Sequence, residues 1–197
     1  MVRNGANGND LPILQFEEPG AWARWLEEHH AASRGIWLRL AKKASGSASV
    51  TYHEALEVAL CYGWIDGQKQ SDDEAWWLQK FTPRAPKSIW SKINREKAEQ
   101  LIARGAMRPA GLAAVEQAKR DGRWDAAYAP QRDASVPADL QAALDQNEMA
   151  KAFFATLNSR NRFAILFRIQ TAKKAETRAK RIEQFVRMLA NHEVLYP

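Results

Sequence analysis

A chain of 197 residues, 46% hydrophobic and 26% charged, is long enough to bury its own core and too apolar to behave as a disordered polyelectrolyte. Its one cysteine, Cys61, excludes an internal disulfide and a cysteine-built zinc site, and nothing in the composition requires an oxidising compartment. The formal charge of +6 is unevenly spread: nine cations from Arg160 to Arg187 meet only Glu176 and Glu183, a local +7, while residues 84–104 carry +4 and residues 1–83 carry −3.

The opening residues, MVRNGANGNDLPIL, contain no apolar run of signal-peptide or membrane-span length, so the expected address is the cytoplasm and residues 1–13 are expected to be a flexible tail. From Glu18 to Ala32 the recurrence of Trp22, Trp25, Leu26 and His29 at spacings of three and four predicts a helix. Residues 35–41 alternate, with Ile36, Leu38 and Leu40 on one side and Trp37 and Arg39 on the other, as a strand does. Thr51 and Glu54 have the spacing of a capping box, predicting a buried helix over 52–62 that Gly63 ends. Residues 64–68 and 75–82 read as two strands of a hairpin joined by an acidic loop.

Beyond Thr82 the pattern is helical. Pro83 and Pro86 bracket a basic turn, Ser88 is placed to cap a helix running to Arg104, and Pro109 and Gly122 mark the ends of the next. After a connector at 129–137, helices are expected near 138–146, 148–157, 160–171 and 175–190, the last with an apolar stripe of Ile182, Phe185, Val186 and Leu189. The fold class is therefore α+β. Residues 14–83 should form a small antiparallel sheet packed with helices, and residues 84–197 an all-helical subdomain packed on it as one compact unit.

The segments ALCYGWIDG (59–67), FTPRAPKSIWSKIN (81–94) and AKKAETRAKRI (172–182) resemble signature segments of the YdeI/OmpD-associated family of bacteriocin-protection proteins. The likeness runs from about Leu14 to the C-terminus. It implies a stress-tolerance role toward bacteriocins or antimicrobial peptides, and it supplies no catalytic residues to carry over.

Three constellations are candidates for function. Arg84, Lys87, Ser88, Trp90, Ser91 and Asn94 gather cations, hydroxyls and an aromatic ring about an expected helix start, where free amides favour an anion; Tyr62 and Asp66 complete this ligand-binding set. The same residues could instead cap the helix, fill the core and form a salt bridge. Arg168, Lys174, Arg178 and Arg181 form the alternative, a basic surface for nucleic acid, which could equally be a solvated helix face. The third is an enzyme of undefined reaction with a pocket near Asp66, using Tyr62 or Ser88. Cys61 lies in an apolar stretch and reads as core, the four histidines lack metal-site spacing, and no glycine-rich nucleotide pattern is present, so no cofactor or metal is expected. The partner expected is thus a small anionic ligand, with no membrane span.

Overall fold

The structure, a computed structural model, describes residues 11–130 and 135–197; most of the expected tail and residues 131–134 of the expected connector lie outside the described residues. The chain divides into two compact units, one ending at Ala127 and one beginning at Tyr128. The fold is α+β, and among the described residues every strand lies in the first unit.

That unit runs β1 (Ile13–Leu14), α1 (Pro19–His29), β2 (Ile36–Ala41), α2 (Tyr52–Cys61), β3 (Trp64–Ser71), β4 (Trp76–Pro83), α3 (Lys92–Ala103) and α4 (Pro109–Arg120). The sheet has the order β1-β2-β4-β3, antiparallel except that β1 lies parallel to β2. Thr51 and Glu54 form the expected capping box, each satisfying an amide at the other's end of the first turn. Trp22, Trp64 and Phe81 are buried together, and both indole N–H groups find carbonyls: Trp22 Nε1 donates to Ala55 O at 3.1 Å and Trp64 Nε1 to His30 O at 3.2 Å. A register shift between Asp66 and Lys69 is held by buried Gln79, whose Nε2 donates to the carbonyls of Gly67 (2.9 Å) and Gln68 (3.2 Å).

One helix start differs from the sequence expectation. Ser88 does not cap α3; Ser91 does, its Oγ accepting from the Asn94 N–H at 3.1 Å. The cause is Trp90. Its ring is buried against Trp124, centroids 4.9 Å apart, and it holds residues 84–90 in an irregular segment where Ser88 N–H closes a turn onto Ala85 O at 2.9 Å.

The second unit contains α5 (Ala138–Asp145), α6 (Glu148–Thr156), α7 (Ser159–Gln170) and α8 (Ala175–Ala190), close to the four expected helices. Asn147 caps α6 and Asn158 caps α7. Leu140, Ile165, Ile169, Phe185 and Leu189 form a core of their own. Asn161, only 2% exposed, fixes the end of the chain to α7: its Oδ1 accepts from the N–H groups of Leu195 and Tyr196, and its Nδ2 donates to Tyr196 O at 2.8 Å.

In the first unit, α4 meets the end of α2 backbone to backbone. Gly63 takes a left-handed φ of +73°, Arg108 N–H donates to Cys61 O at 3.0 Å, and a Cβ on Gly111 would collide with the carbonyl oxygens of Cys61 and Leu60. An exposed helical glycine replaced by alanine gains stability, whereas Gly111→Ala should cost about 1–3 kcal/mol because peptide groups cannot rotate away as a side-chain tip can. Thermal unfolding of the variant, read against Gly105→Ala or Gly122→Ala where only the left-handed φ opposes the change, will show whether the contact dominates.

Candidate functional site

The residues singled out between 62 and 94 do not converge on one point. The Tyr62 hydroxyl donates to Glu27 Oε2 on α1 at 2.7 Å, and burial, followed by that bond to a carboxylate, pushes its pKa up. Asp66 Oδ2 accepts from the hydroxyl of Tyr52, at the other end of α2, at 2.8 Å. Arg84 lies flat on Trp90, its guanidinium carbon 3.5 Å from the ring centroid, and donates to Ile89 O at 3.3 Å. Ser91 and Asn94 form the N-cap of α3, and Ser88 gives its carbonyl to Arg123 Nη1 at 2.5 Å. Lys87 is exposed. Arg84, Ser88, Trp90, Ser91 and Asn94 are therefore neighbours in one turn, with Tyr62 and Asp66 directed elsewhere.

Arg123 is the organiser of that turn that sequence reading missed. It is buried, and Asp121 two residues earlier takes its Nε at 2.8 Å and Nη2 at 2.7 Å, leaving Nη1 for Ser88. The bidentate guanidinium holds the Asp121 pKa down to about 2. The sequence signal, an Asp-Gly-Arg-Trp step after a helix, was visible only as a helix stop. Cys61 is buried, and burial raises its thiol pKa, so it is held as the neutral thiol. Among the described residues no group of three His, Cys, Asp or Glu side chains is placed to hold a metal ion, and no helix is long and apolar enough to cross a membrane.

The basic run of the second unit is partly turned inward. Arg178 grips Asp139 through Nε (2.5 Å) and Nη2 (2.8 Å) and donates Nη1 to Ile169 O at 2.9 Å, while Arg181 donates to Arg168 O. Two guanidinium groups of α8 thus close the last turn of α7, where unsatisfied carbonyls and the negative dipole end favour cations. Arg168 itself donates to the Tyr196 hydroxyl at 3.3 Å. Lys173 and Lys174, at the α7–α8 junction, are exposed.

Beside Arg178 the same helix borders a groove of about 790 Å³. Its walls are Ala143 of α5 and Ala175, Ala179, Ile182, Val186 and Ala190 of α8, a run of mostly small side chains along one helical face. Asp139, Arg178, Glu183 and Arg187 stand at its rim, already joined as the ion pairs Asp139–Arg178 and Glu183–Arg187. The signal was present in the sequence as alanines at helical spacing beside the stripe of core residues.

Residues 133–192, the span that contains this groove, match the family model described as Bacteriocin-protection, YdeI or OmpD-Associated. The chain carries a YdeI/OmpD-associated domain over those residues. Over residues 14–114 it also belongs to the family described as Domain of unknown function (DUF8412). No curated protein and no solved structure matches the chain. The YdeI/OmpD-associated match thus falls on the helical second unit, and the match of unknown function on the sheet-bearing first.

Two consequences can be measured. Because the Asp121 pKa is depressed, its contribution to stability is complete above the ordinary carboxylate value of 3.8 and is lost as pH falls through about 2. Asp121→Asn should therefore unfold at lower denaturant than the parent chain near neutral pH, with the gap narrowing as pH drops below about 4 and closing near pH 2. Arg178→Ala should destabilise the second unit by about 1–2 kcal/mol, since the partly exposed Asp139 pair and an α7 carbonyl lose their partner together. Urea unfolding followed by circular dichroism would check it, and Arg178→Lys should recover less than half, having no planar fork for the bidentate contact.

Proposed function

We propose that this protein binds peptides, its second unit taking one amphipathic helix along the groove between α5 and α8. The observation that carries the reading is the groove itself: an apolar floor of small side chains inside the segment that the bacteriocin-protection family model matches. Small residues let a second helix come close, and burying leucine-sized side chains there supplies the affinity that the rim, with its charges already paired, does not. Residues 128–197 carry a net +4, which favours a peptide with a neutral or acidic polar face over a strongly cationic one. Capture of a peptide is a physical route to the protection named in the family's description. On this reading the functional surface does not include the cations of residues 82–94, and Arg178 is a rim residue, not a contact for nucleic acid.

The test compares two labelled helical peptides of about 18 residues, with leucines on one face and either glutamate or lysine on the other, by fluorescence anisotropy against the full chain. The acidic peptide should bind more tightly, and Ala179→Glu should abolish binding while leaving stability within about 0.5 kcal/mol, because residue 179 is exposed on α8. If neither peptide saturates, or if Ala179→Glu instead dissolves a dimer seen by sedimentation, peptide capture is wrong.

A further inference from the structure

A second concavity lies in the first unit, in the segment matched to a domain of unknown function, and it does not depend on the peptide reading. After β2 the chain arches away from the sheet over residues 42–50. The arch is tied at both ends. The Ala41 N–H donates to Ser49 Oγ at 2.9 Å, Ser45 Oγ donates to Lys42 O at 2.8 Å, and Val50 is buried with its N–H on Phe16 O at 3.0 Å. Gly46, at φ +66° with open space about it, turns the tip. Between this wall and the sheet is a cleft of about 650 Å³, and a second of about 400 Å³ adjoins it, both bounded by Lys42 and Trp77.

The floor is aromatic. Trp77 is half-buried, Tyr52 lies 6.1 Å from it between centroids, and the Tyr52 hydroxyl is anchored on Asp66. His53 stands edge-on to Tyr52 at 5.5 Å. The rim is cationic: Lys42 and Lys43 on the arch, and Lys69 of β3, whose Nζ sits 5.6 Å from the Trp77 centroid. Lys42 gives one proton to the Asp73 carbonyl at 2.7 Å and keeps two.

The nearby carboxylates are already engaged. Asp72 and Asp73 each take an Arg39 nitrogen at 2.6 Å, Glu54 takes the Thr51 amide and hydroxyl at 2.9 and 2.7 Å, and Asp66 takes Tyr52. Among the described residues none of the three lysines forms an ion pair. Three ammonium groups without an ion pair, lining two adjoining clefts that share Trp77, match two needs of one ligand, a negative group and a flat ring.

We propose that these two adjoining clefts together bind a small anion carried on an aromatic ring, the ring against their shared Trp77 and the anionic group among Lys42, Lys43 and Lys69. A bare anion lacks the stacking surface, and a neutral arene leaves the lysines without a counter-charge, so each half alone should bind poorly.

Calorimetric titration of the full chain with phenyl phosphate, inorganic phosphate and benzyl alcohol separates these cases. Phenyl phosphate should bind at one site at least about tenfold more tightly than inorganic phosphate, and the exposed-residue variant Lys43→Ala/Lys69→Ala should weaken it about tenfold or more. Trp77→Leu should erase the preference for the aryl ester and Trp77→Phe should keep part of it, which a general loss of fold would not do. Lys173→Ala/Lys174→Ala, in the other unit, should change nothing. Equal affinity for phenyl phosphate and inorganic phosphate, an unaffected Lys43→Ala/Lys69→Ala variant, or no saturable heat would each overturn the proposal.

Discussion

The first unit depends on two indole N–H groups finding carbonyls in a dry core. Trp22 joins α1 to α2 through Ala55, and Trp64 joins β3 to α1 through His30, so three elements are fixed by bonds whose loss would leave a buried donor unpaired. Ring packing extends the constraint to β4, since the Trp22 and Phe81 centroids lie 5.9 Å apart. With α2 held in this way, its first residue, Tyr52, meets a carboxylate on the sheet, Asp66, and its last, Cys61, presents a carbonyl to the start of α4. The aromatic floor beneath the 42–50 arch is thus a consequence of the core, and its lysines are what the core does not engage.

The second unit uses charge differently. Counted along the chain, residues 160–187 are a block of cations. In space they separate into roles: Arg178 and Arg181 terminate α7, Arg160 and Arg162 lie over the rings of Tyr196 and Phe154, and Arg187 and Lys180 pair along α8 with Glu183 and Glu176. A guanidinium serves these roles because one planar fork can hold a carboxylate and a carbonyl together. The field felt by a distant polyanion remains positive, but the groups that generate it are largely committed to intramolecular contacts.

Much of the fold was legible in the residues because its signals are local. Thr51 and Glu54 announce their helix three residues apart, the alternation of Ile36 to Leu40 has a strand's period, and Pro109 and Gly122 punctuate α4 as such residues should. What was illegible required partners far along the chain. A two-residue strand has no period, so β1 could not be read, and its parallel pairing with β2 followed only once both were placed. Ser88 has the character of a cap on paper, and burial of Trp90 against Trp124 moves the helix start to Ser91.

The candidate sites were harder to read for the same reason. Tyr62 and Asp66 are four residues apart in ALCYGWIDG, which invites a common site, yet one closes α2 and the other lies in β3, and their hydrogen-bond partners, Glu27 and Tyr52, are on different elements. Proximity in sequence was mistaken for convergence in space. Conversely, Lys42, Lys69 and Trp77 come from three separate elements, and nothing in their spacing associates them. Arg39, Arg123 and Arg178, the cations that hold this structure together, each sit beside a carboxylate, and Arg178 also closes a helix end. A lysine at a cleft mouth with neither is a better marker of ligand recognition than the density of cations along the chain, because only its charge remains to be neutralised by something from outside.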